Sequence, residues 1–195
     1  ETQMVLLTAT LPPSEEDNLF RRMHFDRDEV KIFRAATTRI NISYRVIQIG
    51  KEVRKRAVEW ITSRMMQQKI GRYRTGKIVI YGNSVAKVKR LAQGLGFYAY
   101  YYDAAGKASM LEEFMAGKQR IIVATSALGM GVDIADIRCI IHVDWPFSMI
   151  DHAQESGRAA RDGLQSMQEI NGGPKTSRHK QSRRWFDYTW KGRMG

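Results

Sequence analysis

"RIIVATSALGMGVDIADIRCIIHV", residues 120–143, holds two short apolar runs, residues 121–124 and 139–143, separated by a stretch that contains two glycines. Each run is rich in β-branched residues, too short for a helix and bounded by polar or glycine-bearing sequence. That is the pattern of a strand buried on both faces. "KIVIY" (77–81) repeats it upstream, and "FYAYYY" (97–102) reads as a further strand with alternate rings in the core. Between the strands the period changes. Ser84 is placed to cap a helix whose Val85, Val88, Leu91, Ala92 and Leu95 form one apolar stripe, with Gly96 as its stop. "ASMLEEFMAG" (108–117) reads as a short helix ended by Gly117. Strands alternating with helices predict a parallel α/β sheet covered by helices on both faces. Ligands of such sheets bind beyond the carboxyl ends of the strands, which singles out "YGNS" (81–84), "TSALGMGVD" (125–133) and the helix after "CIIHVDWP".

Toward the amino end, "ISYRVIQI" (42–49) alternates as a strand, and a long helix is expected from about Lys51 to Lys69, ending before Gly71. The polar connector "RAATTRIN" (34–41) marks a domain boundary. Ahead of it, "MVLLTAT" (4–10) and "EVKIF" (29–33) read as strands, flanking a helix capped by Ser14. Beyond Gly163 the composition shifts. Residues 164–195 carry seven Lys and Arg against two acids, with Trp185, Phe186, Tyr188 and Trp190 interleaved. This predicts a basic aromatic tail, either a stacking element for single strands or a flexible segment without a fold.

The whole chain of 195 residues has 32 Lys plus Arg against 20 Asp plus Glu, a formal charge of +12 that favours a polyanionic partner, nucleic acid ahead of anionic membrane. No apolar run is long enough to span a bilayer, and the first residues lack the basic end and cleavage site of a signal peptide. A sole cysteine, Cys139, excludes an internal disulfide and a multi-cysteine zinc site, and the histidines at 24, 142, 152 and 179 are scattered, so no metal centre is expected.

"QESGRAARDG" (154–163) sets two guanidinium groups three residues apart. At 100° per residue in a helix, Gln154, Arg158 and Arg161 share one face. The planar fork of arginine matches phosphate oxygens, and Gly157 removes a Cβ where a ligand would approach. A polyphosphate suits that face; a solvated face paired with acids is the alternative.

Taken in order, "TATLPP" (8–13), "VIYGNS" (79–84), "VATSALGMGVDIADIRCIIHVDWP" (123–146) and "QESGRAARDG" resemble motifs III, IV, V and VI of superfamily 2 helicases, most closely those of RecQ and its fungal RecQ-like variants. The resemblance implies a RecA-like helicase C-terminal domain of the P-loop NTPase class over residues 37–163, with residues 1–36 as the end of a first RecA-like domain. It implies ATP-dependent 3′-to-5′ DNA unwinding, Mg-ATP as cofactor, single-stranded or unwinding duplex DNA and the first RecA-like domain as partners, and a nuclear location. A non-catalytic nucleic-acid-binding module or an inactive remnant are the alternatives. By resemblance, Thr8 and Thr10 couple hydrolysis to DNA movement, while Asn83, Ser84 and Thr125 lie near the strand-tracking surface, with helix capping an equal reading for them. Gly129 and Gly131 allow close backbone approach, and Asp133 faces the nucleotide sugar and the domain interface. Gln154, Gly157, Arg158 and Arg161 face ATP, with Arg161 the arginine finger.

The sequence contains no GxxxxGK[ST] and no apolar strand ending in an Asp-Glu pair, so the phosphate cradle and Mg²⁺ ligands are expected on another domain. The cysteines that hold zinc in RecQ are absent after motif VI. Ile40, Ala135 and Ala160 stand where the family has proline, proline and glycine, and Asp103 where many members have histidine. The Ala160 methyl is expected to point into the protein body, leaving the arginine face intact.

Overall fold

In this computed structural model, residues 4–8, 11–35, 39–48, 55–129 and 132–172 are described. The chain divides into two units, Glu1–Arg39 and Ile40 onward. In the first, the two prolines open a 3-10 turn, Pro13–Glu15, that runs into α1, Glu16–Met23. Ser14 therefore lies inside the turn and does not cap α1; Glu15 occupies the cap position, and its carboxylate accepts from the Asn18 side chain (2.9 Å) rather than from a backbone amide of the first turn. Neither "MVLL" nor "EVKIF" forms a strand. A strand exists only where a neighbour accepts its ladder hydrogen bonds, and among the described residues of this unit no segment pairs with another. Leu7 and Phe33 are accordingly 91% and 90% exposed.

The second unit runs β1 (Ile42–Gln48), α2 (Lys55–Arg72), β2 (Lys77–Tyr81), α3 (Val85–Leu95), β3 (Tyr98–Tyr100), α4 (Lys107–Met115), β4 (Ile121–Ala124), β5 (Ile137–His142), α5 (Met149–Ser156) and β6 (Ser166–Gly172). The strands form one parallel sheet in the order β1-β6-β5-β2-β4-β3. Successive residues of β2 serve opposite faces. Ile78 and Ile80 join Met66, Val88 and Ala92 of α2 and α3 on one side. Val79 and Tyr81 join Phe114 of α4 and Leu128 on the other. Ser84 caps α3 by accepting from the Lys87 amide, and Gly96 closes it at φ 75°. Helix α2 continues through Gly71, whose position is exposed and meets nothing, so the glycine costs only about 1 kcal/mol there. Its expected start at Lys51 lies outside the described residues. Strand β3 stops at Tyr100, opposite the last residue of β4, which leaves Tyr102 68% exposed.

The expected tail does not begin at Leu164. Strand β6 lies inside the sheet, between β1 and β5, although "SMQEING" has no apolar run. Gln168, Glu169 and Asn171 are almost fully buried; Asn171 Nδ2 donates to the Glu169 carboxylate within the strand (3.4 Å), and partners on other elements serve Gln168 and Glu169. The Lys69 ammonium sits 2.7 Å from the Glu169 carboxylate, and the Gln168 side-chain nitrogen faces His142 Nε2 at 3.0 Å and His152 Nδ1 at 3.2 Å. The second domain thus extends at least to Gly172. The aromatic part of the tail lies outside the described residues.

Helix α5 ends at Ser156, so the arginines do not lie on one continuous helix as expected. The chain leaves it in tight turns and reaches Ala160 at φ 55°, in the left-handed region. The Ala160 amide donates to the Ile137 carbonyl (3.1 Å), and its own carbonyl accepts from Asn41 Nδ2 (3.0 Å). The methyl is fully buried, as expected, but a left-handed turn puts it there rather than helical phase. This backbone favours glycine. Ala160→Val, adding β-branching and volume at that φ, should therefore lower unfolding free energy by about 2–4 kcal/mol in urea denaturation. Ala160→Gly should stay within about 1 kcal/mol of the parent, because relief of the left-handed strain offsets the lost methyl.

Candidate nucleotide and strand sites

The motif residues separate into two clusters at opposite ends of the sheet. α5 leaves the carboxyl end of β5 and returns along the sheet. The turn after it is tied to the start of β5 by hydrogen bonds from Ala160 to Ile137 and from Asp162 to Ala135. The backbone of the Arg158–Arg161 turn therefore lies toward the amino end of the strands, while the Arg158 side chain reaches back to the loop that follows β4.

The two guanidinium groups differ in their state. Arg158 donates to the Val132 carbonyl (3.0 Å) and to the Gly129 carbonyl, clamping the loop between β4 and β5. A Cβ on Gly129 would meet this guanidinium at 3.4 Å, an ordinary contact, so the neighbour that the glycine faces is Arg158. Arg161 instead pairs with Asp133, whose side chain is 82% exposed, and its Nε donates to the Gly157 carbonyl at 3.3 Å. Such a solvent-facing pair has a net worth of about 0–1 kcal/mol and is readily exchanged for another anion. Gly157 has φ −61°, and a Cβ there would meet the Ala153 carbonyl at 3.1 Å, within its own chain rather than at a ligand surface. Gln154 is exposed on α5. Thr8 is exposed in the first unit, whereas Thr10 and Gly131 lie outside the described residues.

At the carboxyl ends, Asn83 Nδ2 donates to the Trp145 carbonyl (2.7 Å), joining the loops after β2 and β5. Ser84 is spent on capping α3, and Thr125 Oγ1 accepts from the Ala127 amide (3.3 Å). The capping reading is therefore realised for Ser84, and Thr125 forms a comparable turn. These loops border a cavity that Phe147, Asp151 and Glu155 also line. Those three were not singled out in the sequence; the signal available was an aromatic residue directly after "DWP", beyond a strand's carboxyl end.

Behind the cavity lies a buried polar layer. His142 Nδ1 is 3.3 Å from the Glu155 carboxylate. Because the Gln168 amide nitrogen donates to Nε2 of His142, the neutral ring carries its proton on Nδ1, toward Glu155. Burial pushes His142 down to about 3 and His152 down to about 4. Burial, reinforced by Asp151, pushes Glu155 up to about 7 against the pull of Arg158.

A stability profile follows. The histidines are held neutral, so their contribution is complete above the unfolded value of 6.5 and is lost as pH falls toward 4 and 3. Glu155 acts oppositely: its contribution is present below 4.5 and is lost as pH rises through about 7. Between these limits the unfolded chain gains two protons at the histidines while the folded chain holds one at Glu155. Acidification from pH 6.5 to 4.5 should thus cost on the order of 1 kcal/mol per pH unit from this layer. Glu155→Gln should roughly double that slope, as measured by urea midpoints across the range.

Among the described residues no helix is long and apolar enough to cross a membrane, and no group of His, Cys, Asp and Glu is arranged to hold a metal ion.

Residues 61–163 match the family model of the helicase conserved C-terminal domain. The chain is 32% identical over 169 residues to the ATP-dependent DNA helicase RecQ of Pasteurella multocida, covering 83% of this chain and 25% of that protein. It is 34% identical over 173 residues to the ATP-dependent DNA helicase Q-like 2 of Arabidopsis thaliana, covering 84% and 23%. It thus spans about a quarter of the length of these relatives. The fold is shared with a DEAD box protein from Methanococcus jannaschii (TM-score 0.62, 18% identity, 93% of this chain and 47% of that one). It is also shared with the Escherichia coli DEAD-box protein SrmB (TM-score 0.58, 17% identity, 70% and 79%). With its six parallel strands, its motif order and these relatives, the chain belongs to the helicase conserved C-terminal domain family, in the RecQ-like branch of superfamily 2, and its fold is RecA-like.

Proposed function

We propose that this chain supplies the second half of an ATP-dependent, RecQ-like DNA helicase motor, completing a nucleotide site whose phosphate cradle is on a first RecA-like domain. The observation that carries this is the contrast between the anchored Arg158 and the solvent-facing Arg161, which among the described residues pairs with an exposed acid and a backbone carbonyl. A guanidinium so placed fits a phosphate, while the sequence offers no P-loop of its own. Bound Mg-ATP would supply the phosphoryl group to be transferred. Arg161 exchanges Asp133 for a phosphate oxygen and neutralises charge developing there. Arg158 acts as a positioning residue by fixing the loop that carries Asp133. Because the same loop begins at Thr125, a shift at the arginine end reaches the opposite edge, where Asn83, Ser84 and Thr125 face the tracked strand. Thr8 and Thr10 belong to the coupling element between the domains. Strand movement is 3′ to 5′.

The purified chain alone should show no ATP turnover above background, because it lacks the lysine and Mg²⁺ ligands that position phosphates. Joined in one polypeptide to a RecQ-type ATP-binding domain, it should support DNA-stimulated hydrolysis and unwinding of a 3′-tailed duplex. Turnover by the chain alone would overturn the half-site assignment.

A further inference from the structure

The cavity at the carboxyl ends of β2, β4 and β5 is chemically unlike a phosphate site. Its lining includes Asp151 and Glu155, whose carboxyl oxygens accept from N–H donors rather than donate to a phosphate. Asp151 Oδ2 already accepts from the Ser148 hydroxyl (2.7 Å), and Glu155 faces His142, but each carboxylate retains further lone pairs. At the rim Phe147 is 73% exposed, a large apolar ring presented to solvent. The lining includes Tyr81, only 4% exposed, whose buried hydroxyl has no hydrogen-bond partner among the described residues. A flat apolar surface, two acceptors and an unsatisfied buried hydroxyl call for a planar ligand that carries N–H groups.

We propose that this cavity receives one unstacked, amino-bearing nucleobase of the tracked strand, its ring on Phe147 and its exocyclic amine on the Asp151 and Glu155 carboxyls. The proposal rests on the reading of this edge as the strand side. The backbone of the strand then stays on the rim near Asn83 and Thr125, where the Asp144 carboxylate beside the Asn83 amide is paired with the Lys87 ammonium. Cytosine offers an N4 amine where thymine offers an O4 carbonyl, so the two pyrimidines, alike in size, separate hydrogen bonding from fit.

The test is fluorescence anisotropy of the full chain at low salt with three labelled single strands of one length: dC homopolymer, dT homopolymer and an abasic strand. The dC strand should bind at least about 5-fold more tightly than dT. Phe147→Ala should weaken dC binding by about 5- to 100-fold and leave the abasic strand unchanged, whereas Phe147→Trp should retain dC affinity. The pair Asp151→Ala and Glu155→Met, which removes both acceptors, should abolish the preference for dC without weakening the abasic strand. Phe147 is exposed, so its replacement should leave the melting temperature unchanged, and a melt of each variant checks this. Equal binding of dC and dT by the parent, or equal losses of dC and abasic binding in Phe147→Ala, would overturn the pocket while leaving the strand side intact. Absence of binding to all three strands would overturn both.

Discussion

Replacing Arg161 with alanine, in a polypeptide that also carries a RecQ-type ATP-binding domain, is expected to lower kcat for DNA-stimulated ATP hydrolysis by about 10³-fold or more. The Arg161–Asp133 pair is solvent-facing, so its loss costs at most about 1 kcal/mol of stability, far too little to explain such a fall through unfolding. Arg161→Lys should recover only part of the rate, since a point charge cannot keep both the Gly157 carbonyl contact and a directed bond to a phosphate. DNA affinity measured without nucleotide should change little. If it falls while kcat is retained, Arg161 belongs to the strand surface and the finger assignment is wrong. Single-turnover hydrolysis alongside anisotropy separates the two outcomes.

The second large effect is at Lys69. Glu169 is fully buried in an interior strand, with the Lys69 ammonium at 2.7 Å and the Arg45 guanidinium at 4.0 Å on a side chain 58% exposed. Lys69→Met removes the close cation and leaves the carboxylate buried, with the solvent-screened Arg45 and a long hydrogen bond from Asn171 Nδ2 (3.4 Å) as its partners among the described residues. The expected loss is about 3–5 kcal/mol in chemical denaturation, a large share of the roughly 5–15 kcal/mol that a domain has in total. The double variant Lys69→Met, Glu169→Leu removes both charges and should return to within about 1–2 kcal/mol of the parent, or exceed it. Equal destabilisation by the single and double variants would show that packing rather than charge holds β6 in place.

Both effects concern features of different legibility. Strands β2, β4 and β5 are legible because "KIVIY", "RIIVA" and "CIIHV" are short, mostly apolar runs, interrupted in the last by His142, and a parallel strand buried on both faces requires little more. Ser84 and Gly96 are legible because capping depends on residues within one turn. The identity of the motif residues is legible too, since each local spacing stands in the chain itself.

Strand β6 is not legible. Gln168 and Glu169 are polar, and what makes their burial tolerable comes from His142, His152 and Lys69, far away in sequence. The first unit shows the converse, because "MVLL" and "EVKIF" have strand-like composition but no neighbour among the described residues to take their hydrogen bonds. Tertiary structure also sets the backbone of the arginine turn toward the amino end of the sheet. Helix α5 stops at Ser156 and Ala160 turns left-handed to meet Ile137, so helical phase no longer governs position 161. Only that geometry distinguishes Arg158, clamped on two carbonyls, from Arg161, paired in solvent. Periodicity and capping are energies of near neighbours and are written along the chain, whereas the cost of burying a polar group, or the value of a strand edge, depends on which distant segment lies beside it.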